Sequence, residues 1–260
     1  MGFRLLRHNS NEVFSNLPDF VMPLVPTGTG GAVSTFQLTV STTTTVSIDG
    51  NGMLFDDAAG TVNPQTVKTV ASGGSRSVFI RLTSGTASLR VIGGMLLLTH
   101  INGYVTMTNS PAIGALDLNR LPSVMTFFNC TGSNTITGNL SSLPSVMTSF
   151  VCTGSNAITG NLSSLPSVMT YFFCIGLNTI TDYTSPRTWA TNYNYFLIRQ
   201  AVGSGLSSTE VDNLLIDMSA ATWGGSSRTL DVRGVNAART SASNAAVATL
   251  LSKSVNVLTN

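Results

Sequence analysis

The sequence predicts an α+β (mainly β) chain: an N-terminal arm over residues 1–32, a small β-sandwich over 33–94, and a parallel β-solenoid over 95–260 closed by two strand-helix units. Three observations predict it. One 22-residue unit is written three times, as LPSVMTFFNCTGSNTITGNLSS (121–142), LPSVMTSFVCTGSNAITGNLSS (143–164) and LPSVMTYFFCIGLNTITDYTSP (165–186). A unit this short cannot bury its own apolar residues and must cover them with the next copy. Before the repeats, apolar residues alternate with polar ones at period two, as strands do; after them, longer amphipathic stretches take over.

The first 32 residues carry Pro18, Pro23 and Pro26 and the run Thr27-Gly28-Thr29-Gly30-Gly31, which argue against a helix or central strand after residue 16. Phe3, Leu5, Leu6, Val13, Phe14 and Phe20 make this arm unusually apolar. It is read either as an anchor that docks on a partner chain or as a strap over its own first domain. From residue 34 the pattern Phe36, Leu38, Val40, then Val46, Ile48, then Val78, Ile80, Leu82, then Leu89, Val91 predicts five to seven antiparallel strands. Asp49-Gly50-Asn51-Gly52 reads as a hairpin turn rather than part of a calcium loop, which needs more carboxylates and a closing Glu.

Residues 95–120 enter the solenoid as a degenerate unit, with Val105 and Met107 in the places of Phe128 and Cys130, and Leu116 and Leu118 in those of Gly138 and Leu140. Beyond the third copy, Phe196 follows Cys174 by one period and marks a further strand over 195–198. An amphipathic helix with a capped start follows at 208–218, then a strand at 229–233. A second helix at 241–252 turns Ala245, Val247, Leu250 and Leu251 inward, and a last strand occupies 255–258.

Composition narrows the function. Charged residues are only 9% of the chain, far below the roughly 25% usual for soluble domains, so large areas can enter assemblies without stripping charges of water. A net charge of +2 with two lysines, Lys68 and Lys253, offers no basic stripe, and no nucleic-acid partner is expected. No apolar run approaches the roughly 18 residues of a membrane span, and the N-terminus lacks a secretory signal. No Ser-His-acid, paired-carboxylate or metal-ligand spacing can be assembled around His8, His100, Asp56, Asp57 or Asp182. We therefore expect no catalytic residue, no metal and no cofactor. Cys130, Cys152 and Cys174 recur at the repeat period and read as a buried column, not as disulfide partners.

The first two copies differ at three positions only. If Phe128 and Cys130 point inward, period two sends their neighbours outward. The outward residues are Phe127, Asn129 and Thr131 in copy one, Ser149, Val151 and Thr153 in copy two, and Tyr171, Phe173 and Ile175 in copy three; Phe127, Asn129, Ser149, Val151, Tyr171, Phe173 and Ile175 are the candidate contacts. This variable face is the candidate partner-binding surface, unless the chain's own arm or loops cover it.

The pattern Met-x-x-Phe-x-Cys-x-x-x-Asn-x-Ile-x-Gly-x-Leu resembles the leucine-rich repeat, with Met125, Phe128, Cys130, Asn134, Ile136, Gly138 and Leu140 in its places and one extra residue before Asn134, Asn156 and Asn178. The resemblance implies that these asparagines bond backbone groups of adjacent coils. Three phrases, GSNTITGNLSSLPSVMT, LSSTEVDNLLIDMSAATW and GVNAARTSASNAAVATLLSKSVNVLTN, are similar to stretches of leucine-rich-repeat-like surface and virion proteins of Bacteroidetes and their tailed, crAss-like phages. The likeness covers about residues 95–260 and brings no catalytic residue with it. It implies a structural virion protein, a head or tail fibre or decoration protein, assembled in the host cytoplasm and anchored to other virion proteins by its arm. The habit of phage fibres adds a homo-oligomer, a trimer. The alternative is a bacterial cell-surface adhesin or glycan-binding recognition module, for which an export signal would be expected. In either case the partner of the outward face is a host surface glycan or protein.

Overall fold

The computed structural model describes residues 116–260, apart from 190, 191 and 227, and before them chiefly the strands between 20 and 113. The chain is mostly β with few helices. Strand β1 (Phe20–Val25) comes first, followed by β2 (Val33–Val40), β3 (Thr44–Gly50), β4 (Met53–Ala58), β5 (Thr61–Gln65), β6 (Val67–Val70), β7 (Ser75–Leu82) and β8 (Ala87–Val91). Next come β9 (Leu98–Tyr104) and β10 (Ala112–Ile113). Strands β10-β1-β8-β3-β6 form one antiparallel sheet, while β2, β7, β4 and β5 extend the solenoid's sheet through the β2-β9 pair.

Two expectations change here. Phe20–Val25 is a strand of the chain's own sheet, although it carries Pro23. Among the described residues β10 pairs with Leu24 and Val25, and the described partner of Pro23 is Ser88 of β8; a strand with a ladder partner on one side is a setting that proline tolerates. Of the anchoring residues, Phe20 begins this strand opposite Val91, whereas Phe3, Leu5, Leu6, Val13 and Phe14 lie outside the described residues. The strands on either side of the expected hairpin turn, β3 and β4, belong to different sheets and are not ladder partners, while residues 51 and 52 themselves lie outside the described residues.

The repeats build a parallel β-solenoid of about three turns. Each turn has a long strand and a short strand in a second sheet, and in the first two a 3-10 turn leads on to the next Leu-Pro corner. The long strands are β11 (Phe127–Asn134), β13 (Ser149–Gly154) and β15 (Tyr171–Gly176); the short ones are β12 (Thr137–Asn139), β14 (Ala157–Asn161) and β16 (Thr179–Asp182). The long strands pair residue for residue at the repeat period, Phe128 with Phe150 with Phe172 and Cys130 with Cys152 with Cys174. Stacking identical units in register turns each core position into a column. Phe128, Phe150, Phe172 and Phe196 are fully buried, with successive ring centroids 5.5, 6.0 and 5.3 Å apart. Met125, Met147 and Met169, and Ile136, Ile158 and Ile180, line two further columns.

Polar side chains bind the coils where regular ladders lapse. The amide oxygen of Asn156 accepts from the Ile136 N–H at 3.1 Å and that of Asn178 from the Ile158 N–H at 3.0 Å, each reaching back to the preceding coil. Gln200 does the same for Ile180 with a longer side chain. At the second corner Asp117, Asn139 and Asn161 each accept from a backbone N–H two residues on and so open the 3-10 turns. Glycine is required just before that cap. Gly160 has φ +112°, and a Cβ there would meet the Asn139 side chain of the coil below at 2.4 Å.

Copy three has Asp182 in the corresponding place, and the second sheet slips register between Gly160 and Asn161. The 3-10 turn is replaced by an aromatic joint. Arg187 stacks over Trp189 at 4.3 Å, and its guanidinium donates to the Ser163 and Leu165 carbonyls below. Beyond it the turns lengthen. Strand β17 (Tyr195–Gln200) leads to helix α1 (Ser208–Ala220), strand β18 (Thr229–Asp231), helix α2 (Asn244–Ser252) and edge strand β19 (Asn256–Leu258). Helix α1 starts with a capping box between Ser207 and Glu210 and buries Val211, Leu214, Leu215 and Met218.

Three register expectations are corrected. Ile101 and Gly103, not Val105 and Met107, pair with Phe128 and Cys130, because the entering turn is long enough for Ala112–Ile113 to leave and pair with β1. Phe196 lies opposite Phe172, not Cys174, since two more residues are spent in the aromatic joint. On α2 the buried residues are Ala246 and Leu250, while Ala245 and Leu251 are exposed. The helix opens through a 3-10 turn at Ser241–Ser243; Leu250 is buried and Val247 packs half-buried against the core as expected, with Ala246 in place of Ala245 and Leu251.

Candidate binding face of the solenoid sheet

With Phe128 and Cys130 buried, the pleat turns the alternate residues of each long strand outward. These make rows across the sheet: Phe127, Ser149, Tyr171 and Tyr195 in one, and Asn129, Val151, Phe173 and Leu197 in the next. A depression of about 730 Å³ opens over them, lined by Phe127, Asn129, Ser149, Val151, Thr153, Tyr171 and Phe173. That volume lies within the range of small-ligand sites, roughly 300–1,000 Å³. Six of the seven candidate contacts named from the sequence are therefore brought together, along with Thr153, which the same period placed on the outward face. Ile175 stands one row further on, half-buried beside Arg199.

The lining has a definite chemistry. Among the described residues it contains no Asp, Glu, Lys, Arg or His, and it sets aromatic faces beside hydroxyl and amide groups. The aromatic side continues in Tyr195, whose ring stacks on Tyr171 at 5.3 Å and on Phe173 at 5.7 Å. Sequence reasoning missed Tyr195 because the period was counted two residues short there. The signal was the Tyr195-Phe196 pair, which repeats Tyr171-Phe172. A smaller depression of about 340 Å³ lies on the far side of Tyr171, against Asn194, Tyr195, Gly225 and Ser226.

Past Leu197 the same face becomes ionic. Asp231 is 1% exposed beneath Arg199 and Arg233, whose guanidinium groups donate to it at 2.5 and 2.8 Å. Burial pushes its carboxyl up, but the hydrogen bonds from Arg233 and Arg199 outweigh that and hold it below the usual range.

The cysteine column faces the other way. Cys130, Cys152 and Cys174 are free and fully buried. Burial pushes the first two thiols well up and Cys174 up to about 12, so all three stay protonated at neutral pH and are neither nucleophiles nor ready metal ligands. Among the described residues no three His, Cys, Asp or Glu side chains are placed to hold a metal ion. None of the described helices is long and apolar enough to cross a membrane. In comparisons with known proteins, the chain matches no family model, no curated protein and no solved structure.

Proposed function

We propose that the chain is a structural virion protein of a tailed bacteriophage, a head or tail fibre or decoration protein, whose solenoid presents its outer sheet face to a host-surface ligand. The observation that carries the recognition part is the uncharged depression over Phe127, Ser149, Val151, Tyr171 and Phe173. It is assembled from positions that vary between otherwise near-identical copies. The virion part is supported by the resemblance of residues 95–260 to phage and Bacteroidetes surface proteins and by the low charge of the chain. The β-sandwich over 33–94 would act as a spacer. The anchor is confined to residues before Phe20, because Phe20–Val25 is already used in a sheet of this chain.

Two experiments test the halves separately. Replacing Tyr171 and Phe173 with Ser should weaken binding to host cells about tenfold or more, the loss of two ring contacts, while the melting temperature stays within a few degrees. Unchanged cell binding would remove this face from the function. Deleting residues 2–19 should abolish incorporation into particles and leave a folded remainder. Normal incorporation of the truncated chain would sink the anchor.

A further inference from the structure

The outward row Phe127, Ser149, Tyr171, Tyr195 is an aromatic ladder with one rung left out. Where neighbouring rungs are present, the rings stack: Tyr171 and Tyr195 stand 5.3 Å apart at an interplanar angle of 17°. On the inner face, where every strand carries a ring, Phe128, Phe150 and Phe172 repeat at 5.5 and 6.0 Å. On the outer face the strand between Phe127 and Tyr171 carries Ser149, which is 9% exposed and lines the depression. Paired strands lie about 4.8 Å apart, so the backbones bearing Phe127 and Tyr171 are about 9.6 Å apart. That is two stacking distances, room for one ring with a face against each neighbour. Of the three positions at which the first two copies differ, 127/149 falls in this row and 129/151 in the row beside it.

We propose that the slot over Ser149 takes a single uncharged pyranose ring of a neutral glycan. The inference rests on the recognition reading above and names its ligand. A pyranose has two C–H faces for the flanking rings and an edge of hydroxyls. The slot supplies partners for that edge, with the Ser149 hydroxyl in its floor and Asn129 and Thr153 in the adjoining rows. An aromatic side chain would fit the same gap but would cover the Ser149 hydroxyl without bonding it, which is costly. An acidic sugar would meet no counter-charge among the described lining residues.

The test restores the missing rung. The whole protein, as wild type and as Ser149→Phe, is titrated with the methyl pyranosides of glucose, galactose, mannose and N-acetylglucosamine, with methyl galacturonoside, and with N-acetylphenylalanine amide. Binding is read by saturation transfer. One of the neutral pyranosides should receive saturation at its ring C–H protons, and Ser149→Phe should weaken that binding at least about tenfold with no loss of melting temperature. Phe127→Ser, which gives copy one the residue of copy two, removes a wall and should weaken the same pyranoside without filling the slot. The proposal is overturned if only the phenylalanine amide or the galacturonoside binds, if no pyranoside binds, or if Ser149→Phe and Phe127→Ser both leave binding unchanged. Host-cell binding separates the two failures. If the Tyr171 and Phe173 replacements abolish cell binding while no neutral pyranoside binds, the recognition face stands and the sugar slot falls; if cell binding also survives them, both fall.

Discussion

The two faces of the solenoid sheet are built by alternate residues of the same strands, yet they obey opposite rules. Inward, Phe128, Phe150, Phe172 and Phe196 repeat one side chain over four successive strands, and the thiols of Cys130, Cys152 and Cys174 repeat beside them over three. Outward, the row one residue earlier reads Phe127, Ser149, Tyr171, Tyr195. A column of stacked coils tolerates only side chains that fit against their own copies, so the inner face must repeat. Nothing in the stack imposes that on the outer face, and its variation is therefore where a specific shape can be written.

The sharpest way to break this comparison is at neighbouring positions of one strand. Phe150→Ala opens a gap in the middle of a closed ring column and should destabilise the fold by about 3–5 kcal/mol, the range for a buried aromatic truncation. Ser149→Ala, one residue away on the other face, should change stability by no more than about 0.5 kcal/mol. Urea unfolding followed by circular dichroism reads both. Similar costs at the two positions would mean that the outer face is as tightly built as the core.

A smaller effect is expected where the coils are tied by amides. Asn156 is fully buried, and its side chain satisfies the Ile136 N–H of the coil below. Asn156→Ala leaves that donor without a partner and should cost about 1–3 kcal/mol. Asn161→Ala removes a partly exposed cap over Ser163 and should cost about 1 kcal/mol. If the two cost the same, the buried tie between coils has no advantage over a surface cap.

The same contrast explains what was legible beforehand. Near-identity of the copies aligned β11, β13 and β15 to the residue, and the period-two pleat then placed Phe127, Asn129, Ser149, Val151, Tyr171 and Phe173 on one face. Counting failed wherever the copies stop resembling one another. Two extra residues in the joint around Arg187 and Trp189 moved Phe196 by two places, and the excursion of Ala112–Ile113 moved the entering strand to Ile101. Such shifts depend on loop length, which no periodicity records. The strand at Phe20–Val25 was hidden for another reason. Its proline argues against a strand by propensity, and the pairing with β8 that overrides it is a long-range contact no local pattern records. The depression itself was not legible, since a missing rung shows only when the neighbouring strands are set side by side.

Two buried carboxylates, Asp212 in the helix layer and Asp231 on the outer face, carry the comparison into pH. Asp212 accepts from the Thr240 N–H at 3.0 Å and from the Thr240 and Ser243 hydroxyls at 2.5 Å, joining α1 to the start of α2. Burial pushes its carboxyl up, but the hydrogen bonds from Ser243 and Thr240 prevail and hold it below the usual range, as the arginines do for Asp231. A carboxylate whose folded value lies below its unfolded one stabilises the fold fully above the unfolded value, about 3.9, and loses that contribution as pH falls through the folded value. The melting temperature should therefore be level from pH 7 to about 5 and decline below about 4. Asp212→Asn and Asp231→Asn should each lower the plateau and make the acid decline shallower. Salt separates them: the arginine side chains over Asp231 are 40% exposed, so roughly 1 M NaCl should shrink the effect of Asp231→Asn. Asp212 is held chiefly by neutral hydroxyls and a backbone N–H, with the charge of Arg239 a smaller contribution, and the effect of Asp212→Asn should shrink less in salt; equal salt sensitivity would show that the ion triad on the outer face is no more exposed to solvent than the joint between the helices.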